Sequence, residues 1–184
     1  MRTLHQIFSL VCGQQHNWVL GGADLPFCQR CTGLYVSVFP ALLAYLLCKP
    51  KPTSRILWVH GIFLLAMPPF GYHLVAQTGE IRMLTGQLFA WGLVYYFTLL
   101  PSDRWSGWRR LSPLGNKSYF ALLGLWLLYL QATIAWGGQR TNTILSWAGS
   151  FGLLAYALLV LTNLMLLAKT AWGAMRGHAR FSES

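Results

Sequence analysis

Cys28-Gln29-Arg30-Cys31 is the densest chemistry in the sequence. Two thiols three positions apart can grip one metal ion or close a small disulfide. The guanidinium between them favours the thiolate, the form that ligates metals and attacks disulfides. Cys12 and His16 lie upstream, so the four positions read Cys-x3-His-x11-Cys-x2-Cys. That set suits tetrahedral zinc, or copper as a softer alternative. The spacing is not that of a standard zinc finger. Metal ligation, a disulfide or dithiol redox pair, and plain buried thiols all stay open for Cys12, His16, Cys28 and Cys31. Cys48 stands apart. The helix between it and Cys31 measures about 26 Å at ~1.5 Å per residue, and bridged Cα atoms sit within ~7 Å.

A second set of polar residues flanks the apolar runs: Arg30, His73, Gln77, Glu80, Arg82 and Arg140. Glu80 and Arg82 are two apart and do not face one another on a helix. Just before His73 comes Pro68-Pro69-Phe70-Gly71. Two adjacent prolines remove two helix donors and clash with the preceding turn, so a helix break is expected at Pro68, Pro69 and Gly71. In hydrocarbon the carbonyls freed by such a break must find partners. A simple kink and an outward-facing cleft are both consistent with the pattern. No Ser-His-Asp order, Gly-rich phosphate loop or His-Glu-x-x-His is present, so no enzyme class is assigned.

These residues are positioned by an unusual chain. It has 184 residues, 14 Lys+Arg against 4 Asp+Glu, a net charge of +10, and only 10% charged residues against 55% hydrophobic. Mean hydropathy is +0.45. A soluble domain carries about 25% charged residues, and a water-soluble bundle would lack polar groups to coat it. Charge is absent from 31–48, 56–79, 83–102, 118–139 and 141–168. Each run approaches or exceeds the ~20 residues that cross ~30 Å of hydrocarbon. The expected fold is all-α: a polytopic transmembrane bundle of five spanning helices plus a short N-terminal interfacial segment. One membrane domain covers 1–184, with an N-terminal outer segment over 1–30. The spans lie near 32–48, 56–76, 83–101, 118–137 and 145–168, and an inner basic tail over 169–184. Thr3–Cys12 reads as a short interfacial helix.

Ten basic residues lie in the first and third connections and the tail, from Lys49 to Arg180. Arg2, Arg30, Arg82 and Arg140 fall on the other side. The positive-inside rule then puts the N-terminus outside and the C-terminus in the cytoplasm of a cell (inner or plasma) membrane. Topology and contact with anionic lipid headgroups account for the +10, and nucleic acid is not an expected partner.

Cys12-Gly13-Gln14 and Leu25-Pro26-Phe27-Cys28-Gln29-Arg30-Cys31-Thr32-Gly33-Leu34-Tyr35 resemble the signature of a family of prokaryotic membrane proteins, domain of unknown function 2085. That signature reads Cys-His-Gln, then Leu-Pro-x-Cys-x-Arg-Cys-Thr-Gly-Ile-Tyr. Arg82, Thr85 and Gly86 match a further block, Asn-x-x-Arg-x-x-Thr-Gly. The chain departs at Gly13 for the histidine, at Phe70 for an aspartate before Gly71, and at Gly79 for the asparagine. The nearest replacements are His16 and His73. The family pattern implies a metal or redox centre without naming a reaction.

The reading is a small membrane subunit or scaffold with an outer-face Cys-x-x-Cys metal or thiol site. The alternatives are a metal-dependent or thiol-redox membrane enzyme, and a small-solute or lipid transporter. Zinc or copper is the candidate cofactor. Membrane lipids and other membrane subunits are the expected partners.

Overall fold

The computed structural model describes residues 16–72, 74–104 and 114–181. It begins with a hairpin. Strand β1 (Asn17–Leu20) pairs antiparallel with β2 (Ala23–Cys28) in the register Val19↔Asp24 and Leu20↔Ala23, with an irregularity between Asn17 and Val19. Gly21 and Gly22 make the turn at φ 59° and 79°. Positive φ at both positions is the requirement of the type I′ hairpin turn, which glycine supplies without strain. This sheet corrects the all-α expectation. Strands of four and six residues leave no trace in a reading tuned to runs of about 20 apolar residues.

Among the described residues six helices follow: α1 (Gln29–Cys48), α2 (Ser54–Leu65), α3 (Met67–Gly71), α4 (Gly79–Arg104), α5 (Gly115–Ala135) and α6 (Gln139–Phe181). Thr53 caps α2, its hydroxyl accepting the Ile56 N–H at 3.4 Å. The chain leaves α1 through Lys49, which adopts the left-handed conformation at φ 43°.

Tertiary bonds place the helix ends in two groups. At one end the hairpin meets the starts of α4 and α6: a side chain at Gly79 would strike Trp18, and Asn142 donates to the Ala23 carbonyl at 2.7 Å. Gln131, near the end of α5, donates to the Glu80 carbonyl at 3.2 Å. At the other end Lys51 donates to Asn116 Oδ1 at 2.9 Å. The chain therefore runs up and down between these ends, with α2 and α3 forming one interrupted pass.

Among the described residues three helices are both long and apolar enough to cross a membrane: α1, α5 and the Gln139–Trp172 part of α6. That is fewer than the five expected. The second pass falls short because it is two helices, divided at Ala66 just ahead of Pro68 and Pro69. Helix α6 is also longer than expected. Its 43 residues extend about 64 Å at ~1.5 Å each, so residues 169–181 continue the helix rather than forming a separate tail.

Helix α4 touches each of the other described helices. Its Met83, Ala90, Trp91, Val94 and Tyr95 are buried. Polar bonds fasten the bundle: Trp126 to Ser37 Oγ at 2.8 Å, Tyr96 to the Leu57 carbonyl at 2.7 Å, and Asn163 to the Phe97 carbonyl at 2.8 Å. The outward surface is apolar too. Trp58, Leu128, Leu154 and Leu164 are all more than half exposed. A surface as apolar as its core is what lipid, rather than water, accepts.

Candidate functional site

The hairpin delivers Cys28 directly to the start of α1. Cys28 is the N-cap residue, extended at φ −65° and ψ 163°, and its Sγ accepts the Cys31 N–H at 3.4 Å. The first N–H groups of a helix lack backbone acceptors, and here a sulfur takes the place of the usual Ser or Asp oxygen. Thr32 Oγ1 donates back to the Cys28 carbonyl at 3.0 Å, and the Gln29 N–H donates to the His16 carbonyl at 2.8 Å. Cys28 and Cys31 are buried thiols in the first helical turn.

Arg30, between them, is 5% exposed. Its Nη2 donates to the Phe70 carbonyl at 2.6 Å and to Gln77 Oε1 at 2.8 Å. Gln77 Nε2 donates to the same Phe70 carbonyl at 2.6 Å. This oxygen lies at the end of the one-turn helix α3, where the cap N–H of Tyr72 also turns toward it and no further turn of helix follows. Two side chains add their donors at this carbonyl, and hydrogen bonds to a charged donor contribute about 1.5–3 kcal/mol each. The break in the second pass is thereby tied to the start of α1.

Two glycines set how closely α4 approaches. A Cβ on Gly33 would strike the Met83 carbonyl, and one on Gly86 would strike the Arg30 carbonyl. Each glycine seats the other helix's backbone, which aligns the Cys28–Gly33 segment with Arg82–Gly86. Helix α6 closes on α1 similarly, with Gly149 against the Phe27 ring and Gly152 against the Tyr35 carbonyl.

Of the positions proposed as metal or disulfide residues, Cys28 and Cys31 are neighbours. His16 approaches them through its backbone carbonyl while remaining exposed, and Cys12 lies outside the described residues. Among the described residues no three His, Cys, Asp or Glu side chains gather as a metal group. Of the outer polar cluster, Arg30 and Gln77 come together. His73 lies outside the described residues. Glu80 is exposed, its carboxyl held below the usual range chiefly by the Thr78 hydroxyl. Arg82 is half-buried, its Nε without an acceptor among the described residues. Arg140 is exposed in the first turn of α6. Pro68, Pro69 and Gly71 all fall within α3.

The same segment carries the family match. Residues 12–96 match a family model described as predicted membrane protein (DUF2085). No curated protein and no solved structure matches the chain. The DUF2085 segment ends inside α4, and it contains Cys28, Arg30, Gly33, the Phe70 carbonyl, Gln77 and Gly86. The polar ties and close helix contacts at the hairpin end thus fall within it.

A further polar group in the interior was not singled out from the sequence. His60 is fully buried. Its Nδ1 lies 2.8 Å from the Ile56 carbonyl and its Nε2 3.0 Å from the Tyr119 hydroxyl. A carbonyl only accepts, so Nδ1 carries the proton and Nε2 accepts from Tyr119. The imidazole stacks on Tyr95 with centroids 4.1 Å apart. A titratable residue inside a charge-free run was the available signal.

Proposed function

We propose that this is a small membrane subunit, threaded five times through the cell membrane, whose outer end carries a dithiol site at Cys28 and Cys31. The N-terminus is outside and the C-terminus cytoplasmic, a reading supported by ten basic residues on one set of connections against four on the other and by the alternation of helix ends. Lipids cover its faces, and other membrane subunits are its partners.

The observation that carries the site is Cys28 Sγ capping α1 with the Cys31 N–H directed at it. A helix N-terminus stabilises negative charge on a sulfur, and the second thiol is in the same turn. Such a pair undergoes exchange: a thiolate attacks an external disulfide, a mixed disulfide forms, and the second thiol displaces the leaving thiol. Two thiols become one intramolecular disulfide, and the external disulfide becomes two thiols.

The test is oxidised glutathione added to the purified protein, followed by mass spectrometry. The expected product is two hydrogens lighter, reverts with a dithiol reductant, and is absent in Cys28→Ser and Cys31→Ser. Failure of the wild-type thiols to exchange overturns the reading. So does stoichiometric zinc or copper in elemental analysis, which assigns the thiols to metal ligation. The subunit part predicts co-purification within a larger assembly from mild detergent, and a lone monomer there contradicts it.

A further inference from the structure

The His60–Tyr119 bond lies inside a chain of oxidisable rings that no role described so far uses. Tyr95 stacks on His60 with centroids 4.1 Å apart and stands 6.5 Å from the Tyr119 ring. Trp91 lies 5.2 Å from Tyr119, and Tyr96 lies 5.8 Å from Tyr95. His60, Trp91, Tyr95 and Tyr119 are buried, whereas Tyr96 is half-buried and lines a cleft with Trp58. Trp58 is 68% exposed. The rings lead from the lipid-facing surface to the interior one ring at a time, across gaps that an electron tunnels readily.

Phenols and indoles give up one electron more readily than most side chains. The radical cation that results is a strong acid, and it persists only as the neutral radical once a base takes its proton. Proton acceptors therefore distinguish these rings. The Tyr95 hydroxyl and the Trp91 indole nitrogen have no hydrogen-bond partner among the described residues. Tyr96 donates to the Leu57 carbonyl, which accepts a hydrogen bond but is too weak a base to take the proton. Tyr119 donates to His60 Nε2 at 3.0 Å, a neutral imidazole nitrogen. The Ile56 carbonyl, 2.8 Å from Nδ1, keeps the ring's own proton on the other nitrogen. An oxidising equivalent that enters the chain settles on Tyr119.

The cleft beside Tyr96 is lined by Ser54, Leu57, Trp58 and Gly61 and by no charged side chain, and hydrocarbon holds out charged oxidants. Peroxyl radicals of unsaturated acyl chains are neutral and form in the hydrocarbon itself. We propose that Tyr119 and His60 are a radical-holding pair that takes up the oxidising equivalent of lipid peroxyl radicals. The peroxyl radical gains one electron through Tyr96 and Tyr95 and one proton from interfacial water, and becomes a hydroperoxide. Tyr119 loses that electron. Its O–H bond breaks, an N–H bond forms at His60 Nε2, and a neutral tyrosyl radical remains beside an imidazolium. The stacked Tyr95 ring face steadies that cation. Neither Cys28 nor Cys31 takes part, so the dithiol reading is tested separately.

The test is electron paramagnetic resonance on the full chain in nanodiscs of polyunsaturated phosphatidylcholine, treated with a lipid-soluble azo initiator in air and frozen. A tyrosyl signal is expected, narrowed by ring-deuterated tyrosine and coupled to one exchangeable proton, that of the His60 N–H. Tyr119→Phe abolishes it. His60→Gln still accepts the Tyr119 hydrogen bond but is not a base, and it loses the signal too, a result that a purely structural histidine does not give. Without oxygen the initiator's carbon radicals do not become peroxyls, and no signal forms. The proposal is overturned by a wild type without a tyrosyl radical, by a signal that survives Tyr119→Phe or His60→Gln, or by an equal signal without oxygen. Should Tyr119→Phe fail to fold, His60→Gln and the exchangeable coupling decide.

Discussion

Arg30 holds together two pieces of chain 40 residues apart, and its geometry is specific to a guanidinium. One nitrogen serves both the Phe70 carbonyl and Gln77. Arg30→Leu removes the charged donor from that carbonyl and a partner from Gln77. A loss of about 3 kcal/mol is expected, read as a lower thermal midpoint in detergent. Arg30→Lys keeps the charge without the planar fork and falls between the two; an undiminished midpoint in Arg30→Leu contradicts the account. His60 gives a second case. Tyr119→Phe removes one hydrogen bond, worth about 1 kcal/mol, whereas His60→Leu also strands the Tyr119 hydroxyl and costs about 1–3 kcal/mol. Chemical denaturation of both variants and their double mutant checks the order. The helix break was legible because Pro68 and Pro69 lack donors whatever surrounds them. Its partner was not, because nothing in local spacing links residue 30 to residue 70. Arg30 reads from the sequence as a modulator of its flanking thiols; the fold adds bonds from its guanidinium to the Phe70 carbonyl and to Gln77.

The elements depend on close approach between helices. Without a hydrophobic force between spans, packing contacts and buried polar bonds hold them together. Gly33→Ala and Gly86→Ala each place a methyl against backbone rather than against a movable side chain. Overpacking of that kind costs about 1–3 kcal/mol or more. Gly124→Ala meets nothing within 4 Å and is expected to stay within about 0.5 kcal/mol of the parent. Thermal midpoints of the three variants, measured side by side, test the contrast. Helices were legible here because charge-free runs of this length have few other uses. The hairpin was less visible: its signals are the Gly21-Gly22 turn and short flanking strands, in a segment read for its thiols and imidazoles. The extension of α6 past residue 168 was hidden for another reason. Lys169 marks where an apolar run ends, but a helix continues after its apolar run whenever its backbone bonds are satisfied.

The whole molecule has a hairpin end, rich in turns and thiols, and an opposite end whose connections are basic. Under the proposed five crossings these ends face different compartments. An epitope inserted at Gly22 is expected to be reached by antibody on intact spheroplasts, and one at Pro52 only after permeabilisation. The reverse pattern, or exposure of both, contradicts the five-crossing orientation. That lipid is the solvent was legible from composition alone, because 10% charged residues cannot cover a protein of this size in water. The arrangement of the interior was not. Gln87, Trp91 and Tyr95 look like ordinary members of an apolar run until the fold stacks them along one buried line.

The mutual seating of Gly33 and Gly86 has a genetic consequence. Damage at a crowded contact is commonly repaired by trimming the opposing residue, but each glycine already faces bare main chain and no smaller amino acid exists. A lesion at either position therefore admits no reciprocal repair from its mate. Suppressors should map elsewhere, to sites where the two rods can be pried slightly apart.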